Sequence, residues 1–344
     1  MAVPRYGSPV RAALMGSIML FSASVRLLAQ GASPAPYDFD GDGRTDITVT
    51  RRGEFRFLSY PIIWYQIRSS DDLPVAQEWG RILTSSNGIP LPSGRDRPIA
   101  ADFDGDGKTD IAVFNQGNWR ILGSSDGAMN NRSWGSPGFN FFEEDIPVPG
   151  DYDGDGVVDL AVWHRSTGVW SVLRSSDGSA DIRAWGSDQP PYSDVPVPAD
   201  YDGDGKMDIA VWRSSTGVWY IIRSSDGVAT WQQWGAGYAP YNDVAVPGDY
   251  DGDGKTDIAV WRSSTGIWYI IRSSDGTATW QQWGIGYAPY NDVPVPGDYD
   301  GDGKTDVAVW RPLDGTWYLI GSTDGSVVVR QWGQNGDAPL PGRR

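Results

Sequence analysis

Short apolar runs alternate with polar turns along most of this chain, and the same pattern recurs several times. Within residues 244–297, four runs are predicted to be strands, at 244–247, 257–262, 267–272 and 277–283. The last three are separated by Ser-Ser-Thr-Gly and Ser-Ser-Asp-Gly, and such turns between apolar runs are typical of β-hairpins. The pattern therefore predicts four antiparallel strands in each repeat.

The spacing of the repeats predicts how these strands assemble. An acidic motif, Asp-x-Asp-Gly-Asp-Gly-x-x-Asp, begins at six positions, and the last five copies start 49 residues apart. Four strands in a unit of roughly 40 to 50 residues are typical of a β-propeller blade. The motif begins at Asp38, Asp102, Asp151, Asp200, Asp249 and Asp298.

Pairs of tryptophans give the number of blades. Six pairs have their members fifteen residues apart, so six complete units are expected, and because they lie on strands we expect these side chains in the core. The first unit is longer, and we interpret the extra residues at 60–63 and 82–97 as loop insertions. The pairs are Trp64/Trp79, Trp119/Trp134, Trp170/Trp185, Trp219/Trp234, Trp268/Trp283 and Trp317/Trp332.

The two ends of the repeat region carry similar proline-rich segments, at 34–37 and 339–342. Closing a propeller removes exposed sheet edges, so either segment could complete the ring. We predict an all-β propeller of six four-stranded blades, fastened by the C-terminal segment, with seven blades as the alternative. The predicted propeller domain is 32–344, with repeats at about 34–97, 98–146, 147–195, 196–244, 245–293 and 294–342.

The acidic motif indicates a cation site in every repeat. Four carboxylates within nine residues repel one another unless a cation lies between them. Calcium takes six to eight oxygen ligands from flexible loops, with side chains at positions 1, 3 and 5, a carbonyl at position 7 and glycine at position 6. The motif follows that scheme and adds an aspartate at position 9. An EF-hand would instead end with glutamate at position 12, whereas here an apolar strand follows directly.

We therefore predict up to six Ca²⁺ sites. The alternatives are Asp/Gly turns without any metal, or magnesium, which demands a tighter octahedron. The predicted ligands, with position 7 binding through its carbonyl, are Asp38, Asp40, Asp42, Arg44 and Asp46; Asp102, Asp104, Asp106, Lys108 and Asp110; Asp151, Asp153, Asp155, Val157 and Asp159; Asp200, Asp202, Asp204, Lys206 and Asp208; Asp249, Asp251, Asp253, Lys255 and Asp257; and Asp298, Asp300, Asp302, Lys304 and Asp306.

Composition is consistent with an extracellular metal protein. The net charge of −16 is largely offset if six calcium ions bind, and the chain has no basic stripe of the kind that binds nucleic acid. It contains no cysteine, which excludes disulfides and cysteine zinc sites. Residues 1–31 combine early arginines with an apolar run and small residues, so we predict a signal peptide and a secreted or cell-surface protein. No membrane span is expected in the mature chain.

The acidic motif followed by Ile/Val-Ala-Val-Trp resembles the FG-GAP or VCBS repeat. That family includes integrin α-subunit propellers, mushroom lectins of similar fold and many secreted bacterial proteins. The resemblance covers residues 34–342 and implies a calcium-binding propeller. The chain departs from the family in lacking the literal Phe-Gly and Gly-Ala-Pro signatures. Val-Pro-Gly-Asp or Val-Pro-Ala-Asp stands in their place, and the family is often seven-bladed.

Catalytic chemistry finds little support in the sequence. The single histidine, His164, stands where other repeats have arginine, so we interpret it as a substitution on a turn. The serines lie in repeated turns, where hydroxyl groups bond the local backbone. The non-repeated acidic cluster of Glu143, Glu144 and Asp145 is interpreted as a solvated loop, with an acid/base pair as the alternative. No catalytic residue is predicted.

Binding is the function class that the pattern favours, because propellers present loops from every blade on one face. The face opposite the calcium loops is predicted to gather arginines and tyrosines, which suit a glycan or extracellular protein. The alternative is that these tyrosines pack between blades. We predict a monomeric, non-catalytic binding or adhesion module; the alternatives are a structural surface or envelope module and, with least support, a carbohydrate-active enzyme. The candidate ligand-binding residues are Tyr192, Arg213, Tyr238, Tyr241, Arg262, Tyr287 and Tyr290.

Overall fold

A computed structural model describes residues 35–85, 90–136, 145–189 and 192–340 of the 344-residue chain. The predicted signal peptide at 1–31 and the acidic residues Glu143 and Glu144 lie outside the described residues. Within those ranges, no helix has the length and apolar character needed to cross a membrane.

The described strands form six antiparallel sheets, which confirms a propeller of six blades. Blade 1 contains β1 (Ile47–Arg52), β2 (Ser59–Ile67), β3 (Pro74–Thr84) and β4 (Pro90–Arg95). Blade 2 contains β5 (Arg97–Ala101), β6 (Asp110–Asn115), β7 (Asn118–Leu122) and β8 (Met129–Ser133). Blade 3 contains β9 (Asp145–Pro147), β10 (Leu160–His164), β11 (Val169–Leu173) and β12 (Ala180–Ala184).

The last three blades repeat one plan closely. Blade 4 contains β13 (Asp194–Pro196), β14 (Ile209–Arg213), β15 (Val218–Ile222) and β16 (Ala229–Gln233). Blade 5 contains β17 (Asp243–Ala245), β18 (Ile258–Arg262), β19 (Ile267–Ile271) and β20 (Ala278–Gln282). Blade 6 contains β21 (Val293–Pro294), β22 (Val307–Arg311), β23 (Thr316–Ile320) and β24 (Val327–Gln331). The final strand is β25 (Ala338–Leu340).

The C-terminal strand closes the ring by joining the first blade. β25 pairs antiparallel with β1, with Thr48 opposite Leu340 and Thr50 opposite Ala338. Blade 1 therefore has the order β25-β1-β2-β3-β4, and its innermost strand comes from the far end of the chain. Of the two proline-rich segments considered from the sequence, the C-terminal one makes the join.

The interpretation of blade 1's extra residues as loop insertions is wrong. Residues 60–63 lie inside β2, residues 82–84 continue β3, and residues 90–95 form β4. A bulge between Pro61 and Ile63 allows the long β2 to keep pairing with β3. The insertion therefore lengthens two strands and adds a third at the outer edge, where β3 supplies free hydrogen-bonding groups.

The core consists of tryptophan-rich layers between neighbouring blades. Trp219 is fully buried and packs with Val197, Ala210 and residues of blade 5, including Val260. The second tryptophan of each pair, such as Trp234, is half-buried, and its indole N–H donates to a carbonyl of the next blade, here Tyr269 O at 3.0 Å. Trp332 of blade 6 donates to Tyr65 O of blade 1 at 3.2 Å. A tryptophan bond of this kind is therefore present at every junction between blades.

Candidate metal centres and the opposite face

Each acidic loop is folded around its first aspartate. In blade 5, Asp249 Oδ1 accepts from the Gly252 N–H at 2.6 Å, and Oδ2 accepts from the Gly254 N–H at 2.9 Å. Gly254 has a φ of +84°, in the left-handed region that favours glycine. The sequence Asp-x-Asp-Gly-Asp-Gly therefore wraps backbone N–H groups around one carboxylate and leaves the remaining carboxylates at the rim of the loop.

The Ser-Ser-Asp-Gly turn lies beside the acidic loop and holds the other carboxylates. Asp257, at position 9, accepts from the Ser273 N–H at 2.6 Å. The Ser273 hydroxyl donates to Asp253 at 2.8 Å, and the Ser274 hydroxyl donates to Asp251 at 2.5 Å. Loop and turn thus occupy the same side of the blade, as expected from the strand order. We call this side, formed by the acidic loops and these turns, the metal-loop face.

The loop carboxylates fit a hard divalent cation. In the loops of blades 1 to 5, oxygens of three aspartates lie within 4.8 Å of one another. In three loops the position-3 aspartate has a buried Oδ1 with no hydrogen-bond partner among the described residues, which suits an atom that binds a metal instead. These aspartates are Asp40, Asp202 and Asp300.

The electrostatics of the loops lead to the same conclusion. Burial raises the pKa of the position-9 carboxyls of Asp46, Asp208, Asp257 and Asp306 to about 6, against hydrogen bonds that lower it. A carboxylate is therefore costly to ionise in the protein alone. A bound cation would favour the ionised form. Carboxylate and carbonyl oxygens are the ligands that calcium takes, and up to eight can surround it.

The six loops are hydrogen-bonded to one another in a closed circle. The backbone N–H at position 8 of one loop donates to the carbonyl of the first aspartate in the preceding loop. Thr256 of blade 5 donates to Asp200 O of blade 4 at 2.7 Å. The circle closes where Thr45 of blade 1 donates to Asp298 O of blade 6 at 2.6 Å.

The residue at position 7 has a role that the sequence did not reveal. Its side chain lies over the position-4 glycine of the preceding loop, where an added Cβ would approach to between 2.7 and 3.0 Å. The calcium-loop pattern predicts only a carbonyl ligand at this position. The contacts pair Arg44 with Gly301, Lys108 with Gly41, Val157 with Gly105, Lys206 with Gly154, Lys255 with Gly203, and Lys304 with Gly252.

The opposite side of the ring carries ion pairs at the junctions between blades, each with a buried aspartate; we call it the ion-pair face. Asp194, at the start of β13, is fully buried and accepts two bonds from Arg213, at 2.7 and 2.9 Å. The same carboxylate accepts from the Ser187 N–H, which follows the outer strand of blade 3, at 2.8 Å. One aspartate therefore joins two blades. Its equivalents are Asp96, Asp145, Asp243, Asp292 and Asp337.

The partner of this aspartate changes from blade to blade. Arg262, Arg311 and Arg51 make the same two-bond contact as Arg213 in blades 5, 6 and 1. In blade 2, Asp96 instead binds Asn115 and Arg120. In blade 3, His164 Nδ1 lies 2.6 Å from Asp145, and its Nε2 lies 3.0 Å from the Ser166 hydroxyl. His164 is therefore part of the ion-pair face and not only a residue on a turn.

The candidate ligand-binding residues divide into two groups. Tyr192, Tyr241 and Tyr290 lie against the guanidinium groups of Arg213, Arg262 and Arg311, with the arginine carbon 4.4 to 4.6 Å from the ring centroid. These arginines are thus held by an aspartate and by tyrosine rings. Tyr238 and Tyr287 make no such contact with an arginine among the described residues, and they are 52% and 56% exposed.

Two tryptophans outside the predicted pairs lie at the rim of the ring. Trp231 and Trp280, in the outer strands β16 and β20, are 71% and 69% exposed. Sequence reasoning missed them because it treated strand tryptophans as core. The outer strand of a blade has only one neighbour, so its side chains remain in solvent. The inter-blade aspartates were also missed, although an aspartate does recur before each Val/Ile-x-Val run of blades 3 to 6.

Comparisons with known proteins agree with this geometry. Four overlapping stretches, at 102–162, 151–211, 200–260 and 249–309, match the family described as FG-GAP-like repeat. No curated protein matches the chain. A lectin from Agrocybe aegerita, described as recognising non-reducing terminal N-acetylglucosamine, has a similar fold, with 16% identity, a TM-score of 0.52, and coverage of 83% of this chain and 75% of the lectin. AofleA from Arthrobotrys oligospora has 12% identity and a TM-score of 0.50, with 90% of each chain covered.

Proposed function

Because this chain belongs to the FG-GAP-like repeat family, we propose that it is an exported, calcium-stabilised propeller that acts as a non-catalytic binding module for a glycan or an extracellular protein. The observation that carries the calcium part is the set of buried, unpartnered Oδ1 atoms at position 3 of three loops. Calcium would be held by the carboxylates at positions 1, 3, 5 and 9 and by the carbonyl at position 7, as in other flexible oxygen sites.

Calcium stoichiometry and stability test the metal part. We expect up to six ions per chain by elemental analysis of the calcium-loaded protein. Asp253→Ala removes one carboxylate in blade 5 and is expected to lower the number of bound ions by one. The matched control is Asp275→Ala in the adjacent turn, whose carboxylate is exposed and pairs with Arg272 rather than with the loop. Equal calcium content in all three proteins would contradict the assignment.

The binding part is supported by the exposed tyrosines of the ion-pair face. Tyr238 and Tyr287 offer large apolar rings with a hydroxyl group, which suits a polar ligand such as a sugar. The Agrocybe aegerita lectin, which shares only the fold, is described as recognising terminal N-acetylglucosamine. Glycans are therefore the first ligands to test.

A glycan array with the calcium-loaded protein tests this role. We expect a bound glycan class that is lost in the double variant Tyr238→Ala/Tyr287→Ala. The matched control is Trp231→Ala/Trp280→Ala, which removes two exposed rings from the rim instead. Loss of binding only in the tryptophan variant would move the site to the rim. Failure to bind any glycan or extracellular protein would favour the alternative, a structural surface or envelope module.

A further inference from the structure

The junction between blades 6 and 1 differs from the other junctions at which an arginine binds the inter-blade aspartate. In blade 6, the guanidinium carbon of Arg311 lies 4.6 Å from the ring centroid of Tyr290 and 4.5 Å from that of Tyr318. Blades 4 and 5 repeat this arrangement with two rings for each arginine. In blade 1, Arg51 lies 4.4 Å from Tyr65, the equivalent of Tyr318, and has no second ring contact among the described residues.

A shorter connection accounts for the difference. Asp292 lies nine residues after Trp283, whereas Asp337 lies only five residues after Trp332. At the other three junctions, one of the two tyrosines stands two residues before the buried aspartate; these are Tyr192, Tyr241 and Tyr290. At the last junction that position is Asn335. The intervening residue has a left-handed φ at all four junctions; these residues are Ser193, Asn242, Asn291 and Gly336. The last junction is nevertheless a tighter turn, since the Asp337 N–H donates to Gln334 O, three residues before it, whereas the Asp292 N–H donates to Ile285 O, seven residues before it. This turn carries no tyrosine.

A cavity is present beside Arg51. It has a volume of about 260 Å³ and is lined by Val49, Arg51, Tyr65, Gln331, Trp332 and Gly333. An enclosed apolar cavity of about 150 Å³ holds benzene. The pocket beside Arg51 is open to solvent on one side, and its volume is large enough for a six-membered aromatic ring. The Arg51 side chain is also more exposed than that of Arg311, at 27% against 15%. The guanidinium remains fixed by two bonds to Asp337, at 2.6 and 2.7 Å.

We propose that this cavity binds a phenol ring supplied by a ligand, which contacts Arg51 as Tyr290 contacts Arg311. The inference deepens the proposed binding role and rests on it, since it names one site and one ligand chemistry on the ion-pair face. A guanidinium attracts the face of an aromatic ring, and Arg51 is already oriented by Asp337. The phenol belongs either to a free small molecule or to a tyrosine side chain of a peptide.

An NMR titration tests the proposal on the calcium-loaded chain, with the Arg51 Nε–H resonance as the reporter. The probes are p-cresol for a free phenol and N-acetyl-tyrosinamide for a peptide tyrosine. We expect saturable shifts of this resonance with at least one probe. The non-aromatic control, 4-methylcyclohexanol, should bind about two- to fivefold more weakly, the ratio that a cation–π contact gives at a partly exposed site. No shift with either probe would overturn the proposal.

The substitution Asn335→Tyr sharpens the test because it places a ring at the position that Tyr290 has in the chain. We expect the variant to shift the Arg51 resonance without any probe and to abolish probe binding. Asn335→Ala, which removes the same side chain without adding a ring, should bind as the unmodified chain does. A variant whose new ring shifts the Arg51 resonance but leaves probe binding unchanged would contradict the assignment. A chain that binds no glycan but passes this test keeps the cavity site and loses the proposed glycan role.

Discussion

The two faces of the ring differ in how strictly the six blades repeat. On the metal-loop face, all six loops keep their four aspartates and both glycines. On the ion-pair face, the buried aspartate is constant while its partner is arginine in four blades, Asn115 with Arg120 in one, and His164 in another. We predict from this difference that the metal-loop face contributes more to the stability of the ring than the ion-pair face does.

The connections between loops explain the strictness. Each loop accepts a hydrogen bond from the next one around the full circle, so a distorted loop disturbs its neighbour. Each inter-blade aspartate also joins two neighbouring blades, but its side-chain partner differs between blades, so several side chains satisfy it. A change on the ion-pair face is therefore expected to remain local.

Calcium removal should give the largest effect. A ligand present at 100 times its dissociation constant stabilises the folded state by about 2.7 kcal/mol for each site, whereas an ordinary domain is stable by only about 5 to 15 kcal/mol. We expect excess EGTA to lower the melting temperature sharply or to unfold the chain, as measured by circular dichroism. A melting temperature that is the same with calcium and with EGTA would contradict the prediction that the metal-loop face contributes more to stability than the ion-pair face.

Truncation after Gly336 separates the contributions of the two faces to ring closure. It removes Asp337 and β25, but it leaves the bond from Thr45 to Asp298 O on the metal-loop face. We expect a lower melting temperature in saturating calcium, because β1 loses its inner neighbour. The control is removal of residues 341–344 alone. If the truncated chain melts as the control does, the bonds from Thr45 to Asp298 O and from Trp332 to Tyr65 O are sufficient to close the ring.

Asp243→Ala tests one inter-blade aspartate, which pairs with Arg262 of its own blade and accepts from the Ala236 N–H that follows blade 4. The change leaves Arg262 and the Ala236 N–H without their carboxylate, and breaking a buried pair in this way costs about 3 kcal/mol. Because Asp243 lies away from the loops, denaturant titration should give the same loss at low and high saturating calcium. Asp226→Ala, which removes a surface partner of Arg223, is the control, with an expected loss below about 1 kcal/mol. A loss that depends on calcium would show that the two faces are coupled.

The smallest effect is expected in blade 3. His164→Arg together with Ser171→Tyr would give this blade two residues that blades 4 to 6 share: the arginine, and the tyrosine of the third strand that contacts it, which is Tyr220, Tyr269 or Tyr318. The added ion pair and ring contact should stabilise the chain by about 1 kcal/mol, because arginine is always charged and the ring contacts its guanidinium. Differential scanning calorimetry would detect the increase in melting temperature. A decrease would indicate that the contact of His164 with Ser166 is worth more than the regular pair.

The blade number and the acidic loops could be predicted because their signals are local in sequence. The predicted ligands from Asp249 to Asp257 all lie within one nine-residue loop. The strands of blade 5 begin and end within one or two residues of their predicted bounds. The ion pairs depend instead on the fold. Asp194 and Arg213 stand nineteen residues apart, and only the pairing of β13 with β14 brings them together.

The errors in blade 1 have a similar physical cause. Residues 90–95 read Pro-Leu-Pro-Ser-Gly-Arg, which has neither the alternation nor the composition of a strand. They become β4 because the extended β3 offers an unpaired edge, which is information that the segment itself does not contain. The exposed Trp231 shows the same limit for burial, since the position of a strand within its blade decides whether a tryptophan is covered.

The pairing of β25 with β1 closes the ring of blades through hydrogen bonds between the last strand and the first blade. Residues from the two ends of the ring, Leu340 and Thr48, stand directly opposite each other in one sheet. Every blade then has a neighbour on both sides, and the join is one more inter-blade junction. A circular permutant that links residue 340 to blade 1 through a short tether, and opens the chain within the exposed residues 238–242 before blade 5, would keep every blade intact. We therefore expect the same propeller to form when the chain termini are placed at a different junction.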